Sequence, residues 1–410
     1  MQKLYILLLF ILFSVSLNAQ LTNCDGTRYI DPIFDDIKIT SGVNYGIGTD
    51  ATGTDFDLLM DVYEPAGDDN NGARPIVIMA HGGSFLFGTR GNPYMIESCT
   101  ELAKRGYVAA SIDYSLWPLL FGIPDSIDLL GTVVDAVDDM KSAVRFFRQD
   151  AEMENQFNVE SNIILVGGLS AGAIIACQVG IMDDQDEKPQ FLQELIDANG
   201  GINGNGSHQG FSSNVNGIIN FSGGVYKTDW IEASDAPIFS MHGTNDETVP
   251  YNHGLAAGIM SINGSGSVEA AAQAVGLNSA LVSIEGGGHT DIYTEPAFAD
   301  AQQELVEVMF PFLEDIVCNY VTSIESLDNI SLSVLPNPSS DIISIELPVD
   351  ITDSFDFMVY DQMGRIIQTR QNITARKITL SKDAIGSGMF YVTLRFEENY
   401  NTVTRKILFK

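Results

Sequence analysis

Basic side chains are scarce in this sequence. Only 21 Lys and Arg stand against 54 Asp and Glu in 410 residues, a formal net charge of −33. Neutralising phosphates takes clustered Lys and Arg, so a general nucleic-acid binder is excluded, and docking on anionic lipid is disfavoured for the same reason. Cysteines number only four (Cys24, Cys99, Cys177 and Cys318), no two of them are close, and no His-x-x-x-His occurs. A zinc site therefore has no ligand set, and no metal is expected. Beyond residue 19 there is no apolar run near the ~20 residues that a bilayer-spanning helix needs, so no transmembrane span is expected in the mature chain. Internal repeats and long low-complexity segments are also missing. The apolar fraction, by contrast, is an ordinary 45%, which excludes wholesale disorder.

Residues 1–19 read as a secretory signal. Lys3 supplies the positive end, residues 4–15 a short apolar stretch, and Leu17-Asn18-Ala19 a cleavage site before Gln20. In an exported chain disulfides are permitted. Cys177 lies in an apolar helical run and reads as a buried thiol, which leaves Cys24, Cys99 and Cys318 as candidates for at most one bridge, one that involves Cys24. Charge divides the remainder unevenly: residues 20–321 carry a net −32 and residues 322–410 only −2. That break near Thr322 marks the expected boundary between two domains.

In the first domain, unbroken apolar runs at residues 76–80, 107–112, 163–166, 218–219, 238–239 and 281–284 alternate with helical patterns. Strands covered on both faces lack polar alternation, so these runs suit a mostly parallel sheet. Val133, Val137, Met140, Val144 and Phe147 step by four and three, which predicts a helix packed on that sheet. Leu58, Met60 and Val62 alternate with Leu59, Asp61 and Tyr63 in an earlier strand, expected to be an antiparallel edge. The product is an α/β sandwich. A Gly-, Asn- and Ser-rich stretch over residues 199–217, together with the acidic residues 183–187, forms an insertion, either a cap over a pocket or a surface loop. Residues 332–410 carry short strands and no helical stripe, the pattern of an all-β, Ig-like sandwich.

Gly168-Leu169-Ser170-Ala171-Gly172 satisfies G-x-S-x-G. It follows the run 163–166 and opens the helical run 173–182, the strand–turn–helix context that lifts a serine hydroxyl above a sheet. A serine hydroxyl needs a base within hydrogen-bond reach. Glu285-Gly286-Gly287-Gly288-His289 follows the last strand, and its small residues let a loop carry His289 towards Ser170. The other histidines fit less well: His208 lies in the insertion, His242 at a strand end, His253 on an expected helix and His81 in a separate motif. For the carboxylate that orients the imidazole, Asp246 and Glu247 compete at the end of another strand. His81-Gly82-Gly83-Ser84-Phe85 follows the run 76–80, where glycines let the backbone approach an oxyanion closely. Trp117 and Leu120, with Tyr226 and Trp230, follow strands and are candidates for lining a substrate pocket or for the core.

With these elements in this order, the chain resembles the α/β-hydrolase superfamily, in particular the carboxylesterase and hormone-sensitive-lipase-like esterases. Gly106-Tyr107-Val108-Ala109-Ala110-Ser111-Ile112-Asp113-Tyr114 is a further match. The resemblance covers residues 35–317 and implies an α/β-hydrolase sandwich, a Ser170, Asp246, His289 triad, and oxyanion donors from Gly82, Gly83 and Ala171. It favours Asp246 over Glu247, because His-Gly-x-x-Asp followed by Val249-Pro250 is common in the family, and it makes His242 structural. Leu169 and Ser84 depart from the usual residues at their positions. Leu335-Pro336-Asn337-Pro338, Val359-Tyr360-Asp361-Gln362-Met363-Gly364-Arg365 and the basic end Arg405-Lys406-Ile407-Leu408-Phe409-Lys410 resemble the type A sorting domain of the type IX secretion system in Bacteroidetes. This implies passage through the periplasm to the cell surface or medium. The expected activity is hydrolysis of a small or polysaccharide-linked ester through an acyl-enzyme, without a cofactor; a serine peptidase and an inert adhesive protein are the alternatives.

Overall fold

The computed structural model describes residues 24–50, 53–68, 72–328, 332–347, 354–360, 366–396 and 402–410. The secretory signal expected over residues 1–19 lies outside them, as do residues 361–365 of the second C-terminal motif.

Among the described residues, eleven strands precede the C-terminal region: β1 (Ile37–Thr49), β2 (Asp55–Pro65), β3 (Arg74–Ala80), β4 (Val108–Ile112), β5 (Val159–Leu169), β6 (Gly217–Phe221), β7 (Gly224–Val225), β8 (Ile238–Gly243), β9 (His253–Ala256), β10 (Met260–Gly264) and β11 (Ser279–Ile284). Eight form one sheet in the order β1-β2-β4-β3-β5-β6-β8-β11. From β4 to β11 every pairing is parallel, whereas β1–β2 and β2–β4 are antiparallel. Except in the edge strand β11, where Ser283 is exposed, the apolar runs are buried on both faces, as a parallel sheet requires. In β3, Ile76, Ile78 and Ala80 pack in one core with the helices α2 (Ser126–Met153), α3 (Ala171–Ile181) and α5 (Ser265–Val275), and Val77 and Met79 pack in the other with α1 (Pro93–Lys104) and α7 (Ala299–Asp328). The stripe Val133, Val137, Met140, Val144 and Phe147 is buried along α2. A capping box starts that helix: the Asp125 side chain accepts from the Ile127 and Asp128 N–H groups, and Asp128 accepts from the N–H of Asp125.

Three expectations need correction. β2 is not the edge strand: it is hydrogen-bonded to β4 on one side and to β1 on the other, and β1, with more than half of its residues exposed, is the edge. His253 begins strand β9, paired with β10, and is not helical. The bridge joins Cys24 to Cys318, and Cys99 is a free thiol buried in the core beneath α1. Burial pushes the Cys99 thiol well above its ordinary value.

The insertion contains an unexpected helix, α4 (Gln190–Ala198), although Leu192, Leu195 and Ile196 stand at helical spacing. The loop after it is held by four side chains of α2, among them Arg148, which donates to the Ser212 and Asn214 carbonyls. Lys141 donates to the Ile202 carbonyl. Arg145 donates to the carbonyls of Asn203 and Ser207, both at 2.8 Å, and to Asp138 at 3.0 Å. Asp138 in turn accepts from the N–H groups of Asn205 and Gly206. Buried charges are tolerated when they are paired and hydrogen-bonded in this way. α7 runs through the charge break near Thr322. In the C-terminal region β12 (Ser333–Leu335), β13 (Ile342–Glu346) and β16 (Lys377–Ser381) form one antiparallel sheet. A second antiparallel sheet comprises β14 (Phe355–Tyr360), β15 (Ile366–Ile373), β17 (Gly388–Phe396) and β18 (Thr402–Phe409). Ile343, Ile345, Phe357, Val392 and Ile407 of the two sheets share one core.

Candidate active site

β5 ends at Leu169 and α3 begins at Ala171, so Ser170 alone makes the turn from strand to helix. Its backbone sits at φ +56°, ψ −116°, a conformation that costs a non-glycine residue roughly 1–3 kcal/mol and persists only where the surroundings enforce it. Here the Ser170 N–H donates to the Phe221 carbonyl at 2.8 Å, and the Ser170 carbonyl accepts from the Ile174 N–H at 3.0 Å. The flanking glycines are steric necessities. A Cβ at Gly172 would lie 2.0 Å from the Ala80 carbonyl oxygen, and one at Gly168 would lie 2.4 Å from the Gly172 carbonyl carbon. Apart from Gln178, α3 is apolar around its circumference, and it is buried against β3, β5 and β6, which holds the turn in place.

The loop after β11 brings His289 to this serine. His289 Nε2 lies 2.8 Å from Ser170 Oγ, and His289 Nδ1 lies 2.6 Å from Asp246 Oδ2. The loop is fixed from two sides: the Gly288 N–H donates to Asp291, and the His289 carbonyl accepts from the Ser222 hydroxyl at 3.0 Å. Ser222 Oγ is 2.8 Å from the Tyr293 hydroxyl, which donates to the Met241 carbonyl. The Asp246 side chain is fully buried, while that of His289 is 17% exposed, so the imidazole is the open end of the array. Asp246 Oδ1 accepts from the N–H groups of Thr248 and Val249, and Oδ2 also meets His242 Nε2 at 3.1 Å. Burial alone would push the Asp246 carboxyl up. The hydrogen bonds from His242 and His289, the attraction of His289 and the Val249 N–H outweigh it and hold the group well below the usual carboxylate range. Glu247, the competing carboxylate, is exposed.

The loop 81–85 closes the other side. A Cβ on Gly82 would stand 3.3 Å from Ser170 Cβ, so this backbone lies directly against the serine. Gly83 sits at φ +135°, with the Phe87 carbonyl oxygen 1.8 Å from where a Cβ would be, and only glycine fits there. Among the described residues, nothing accepts from the N–H groups of Gly82, Gly83 or Ala171. His81 is buried beneath the loop. It stacks on Tyr114 at 4.3 Å, and the Tyr114 hydroxyl donates to the His81 carbonyl at 2.7 Å.

The four pocket candidates fall in two places. The Trp117 N–H donates to the Phe85 carbonyl at 2.8 Å, which puts Trp117 beside the glycine loop. Leu120, expected to line a pocket, is 91% exposed, because the single turn Leu119–Phe121 runs over the surface between Pro118 and Gly122. Tyr226 and Trp230 pack ring to ring at 5.5 Å. Tyr226 lines a small cavity of about 40 Å³ together with Ile174 of α3 and Val133, Leu192 and Met260. Ser222, Tyr293, Asn220 and Ser265 were not singled out from the sequence. Asn220 and Ser222 stand two apart, but their partners Ser265 and Tyr293 lie 45 and 71 positions further on, so no local motif joins them.

Residues 60–226 match the BD-FAE family, and residues 333–410 match the secretion system C-terminal sorting domain. A probable isoprenylcysteine alpha-carbonyl methylesterase from Oryza sativa subsp. japonica is 23% identical over 280 residues, 60% of this chain and 59% of that protein. A non-reducing polyketide synthase from Stereocaulon alpinum is 31% identical over 138 residues, 33% of this chain and 5% of that one. The chain thus spans less than two thirds of either curated relative. Among solved structures, Thermogutta terrifontis esterase 2 phosphorylated by paraoxon is similar at 23% identity and a TM-score of 0.48, covering 69% of this chain and 95% of that one.

Proposed function

We propose that this chain, an α/β-hydrolase domain of the esterase type followed by a secretion sorting domain, is an exported serine carboxylic-ester hydrolase. The sorting domain directs it to the cell surface or the medium, and export through the type IX machinery follows from the same motif. The observation that carries the reading is the continuous array Ser170 Oγ, His289 and Asp246, at 2.8 and 2.6 Å, on a serine held in a strained turn.

In this reading Ser170 Oγ attacks the ester carbonyl carbon while its proton passes to His289 Nε2. Asp246, already holding Nδ1–H, stabilises the imidazolium that forms. The carbonyl oxygen gains its charge between the free N–H groups of Gly82, Gly83 and Ala171. His289 then gives the proton to the departing alkoxide, leaving Ser170 acylated. Water enters, loses a proton to His289 and attacks the acyl carbon; His289 then returns that proton to Ser170 Oγ as the bond between Oγ and the acyl carbon breaks and the acid leaves. The His289 side chain, partly open to solvent, is the group that can exchange protons and meet water.

The test is labelling by a serine-directed fluorophosphonate together with an ester-against-amide substrate panel. Ser170→Ala should remain folded, take no label and lose several orders of magnitude in ester turnover. Wild-type turnover in that variant would overturn the assignment. Amide cleavage exceeding ester cleavage would move the chain to the peptidases.

A further inference from the structure

A second histidine ends on the same carboxylate, and the reaction as derived gives it no part. His242 lies in β8 with its ring fully buried. Its Nε2 faces two acceptors, Asp246 Oδ2 at 3.1 Å and the Val249 carbonyl at 2.9 Å. A nitrogen between two acceptors carries the proton. Its Nδ1 faces the Ser265 hydroxyl at 2.8 Å and the Ser265 N–H at 3.4 Å, the second of which can only donate. A nitrogen that a donor points at offers its lone pair, so the hydrogen-bond network assigns a neutral ring with its proton on Nε2. Ser265, the first residue of α5, accepts in turn from Asn220 Nδ2 at 3.0 Å, and Asn220 also reaches Ser240 at 3.0 Å. Every donor in this line points the same way: Asn220 to Ser265, Ser265 to His242, His242 to Asp246.

Asp246 therefore meets four donors, two backbone N–H groups on Oδ1 and two imidazoles on Oδ2. We infer that His242 is a positioning residue for the proposed ester hydrolysis: it locks the rotation of Asp246 and, by sharing Oδ2, sets how strongly that oxygen draws on His289. The inference rests on the triad reading. The other titratable groups nearby are Tyr251, whose ring meets the edge of His242 at 5.6 Å, and Tyr293, whose hydroxyl is held by Ser222 and the Met241 carbonyl. Without the second donor, Oδ2 keeps its full charge for His289, and the imidazolium becomes easier to form. The acid limb of kcat/KM should then move to higher pH, while loss of the rotational lock lowers kcat.

The experiment compares His242→Leu, which has no donor, with His242→Gln, whose amide can donate, and with Ser265→Ala, which removes the hydroxyl that fixes the ring. Hydrolysis of a p-nitrophenyl acyl ester by the full chain is followed across pH. For His242→Leu the expected result is a kcat roughly tenfold lower with KM within about twofold, and an acid limb displaced upward. His242→Gln should recover most of the loss. The ring nitrogens are read separately by ¹⁵N NMR on histidine-labelled full-length protein: His242 should be protonated at Nε2 alone, and Ser265→Ala should disturb both that signal and the His289 Nδ1 proton. An unmoved acid limb in His242→Leu, or a His242 proton on Nδ1, overturns the inference. Failure of the triad reading is distinguishable, because it appears as absent ester turnover in the wild type, and the NMR arm still decides whether His242 donates to Asp246.

Discussion

Replacing Asp246 with asparagine tests the site where its geometry is most constrained. In the native array Oδ1 receives two backbone N–H groups that cannot move, and Oδ2 receives two imidazole N–H groups. An amide has one oxygen and one NH₂. The oxygen must face Thr248 and Val249, because an NH₂ there would meet two fixed donors. The NH₂ then faces His289, whose Nδ1 can accept only if the ring changes tautomer and moves its proton to Nε2. That proton points at Ser170 Oγ, 2.8 Å away, and the base is lost while the fold is kept. Such a tautomer reversal lowers turnover by about 10⁴ in serine hydrolases, about 5.5 kcal/mol of barrier. The assay is steady-state hydrolysis of a p-nitrophenyl acyl ester at pH 7.5, with the fold checked by circular dichroism. Glu247→Gln serves as control and should change turnover little, its side chain being exposed. A loss below tenfold for Asp246→Asn, or a larger loss for Glu247→Gln, refutes the reasoning. There is also a stability consequence. The Asp246 carboxyl is held below its unfolded value, so its contribution is present above about pH 4 and is lost as pH falls further through the folded value. Asp246→Asn should remove that part of the acid dependence.

Two further outcomes follow from other parts of the molecule. Burial, against the opposing hydrogen bond from the Ser115 N–H, pushes the Asp139 carboxyl up to about 7, with the nearby charges of Asp138 and Asp135 adding to it. The folded state then holds this proton more tightly than the unfolded chain, so stability falls as pH rises between about 4 and 7. Asp139→Asn, which can still accept from the Ser115 N–H, should raise the urea midpoint at pH 8 and leave it nearly unchanged at pH 4; an equal shift at both would refute the assignment. A chain ending at Asp328 keeps all of α7 and the disulfide. It should hydrolyse esters at the full-length rate but stay in the periplasm of a host with a type IX system, as immunoblots of periplasm and medium would report.

What could be read from the sequence was what is local. Gly168-Leu169-Ser170-Ala171-Gly172 is legible because one turn needs its glycines and its serine side by side. His289 is legible because the order of elements places it after the last strand. His242 lies four residues from Asp246, yet its part depends on Ser265 and Asn220, which reach it from α5 and β6; no spacing encodes that meeting. β1 escaped notice because its apolar residues are interrupted by glycines, polar residues and two bulges, so no run forms. Leu120 misled because an apolar side chain beside a strand end reads as buried, and only the path of the surface turn reveals otherwise. Cys99 was indistinguishable from Cys318 until α1 enclosed it, because cysteine pairing is a matter of distance in space.

The Cys24–Cys318 bridge, spanning 294 positions, turns the hydrolase domain into a closed covalent ring. The first of these sulfurs leaves the ribosome long before the second, so the ring cannot close until nearly the whole domain has been synthesised. Once it has closed, a single protease cut in any surface loop between the two cysteines opens the ring without releasing a fragment. A nicked molecule would keep its mass on a non-reducing gel and separate into two pieces only after reduction. For an exported enzyme among foreign proteases, the ends of the domain hold each other, and the long helix leading towards the sorting domain stays tied to the start of the chain.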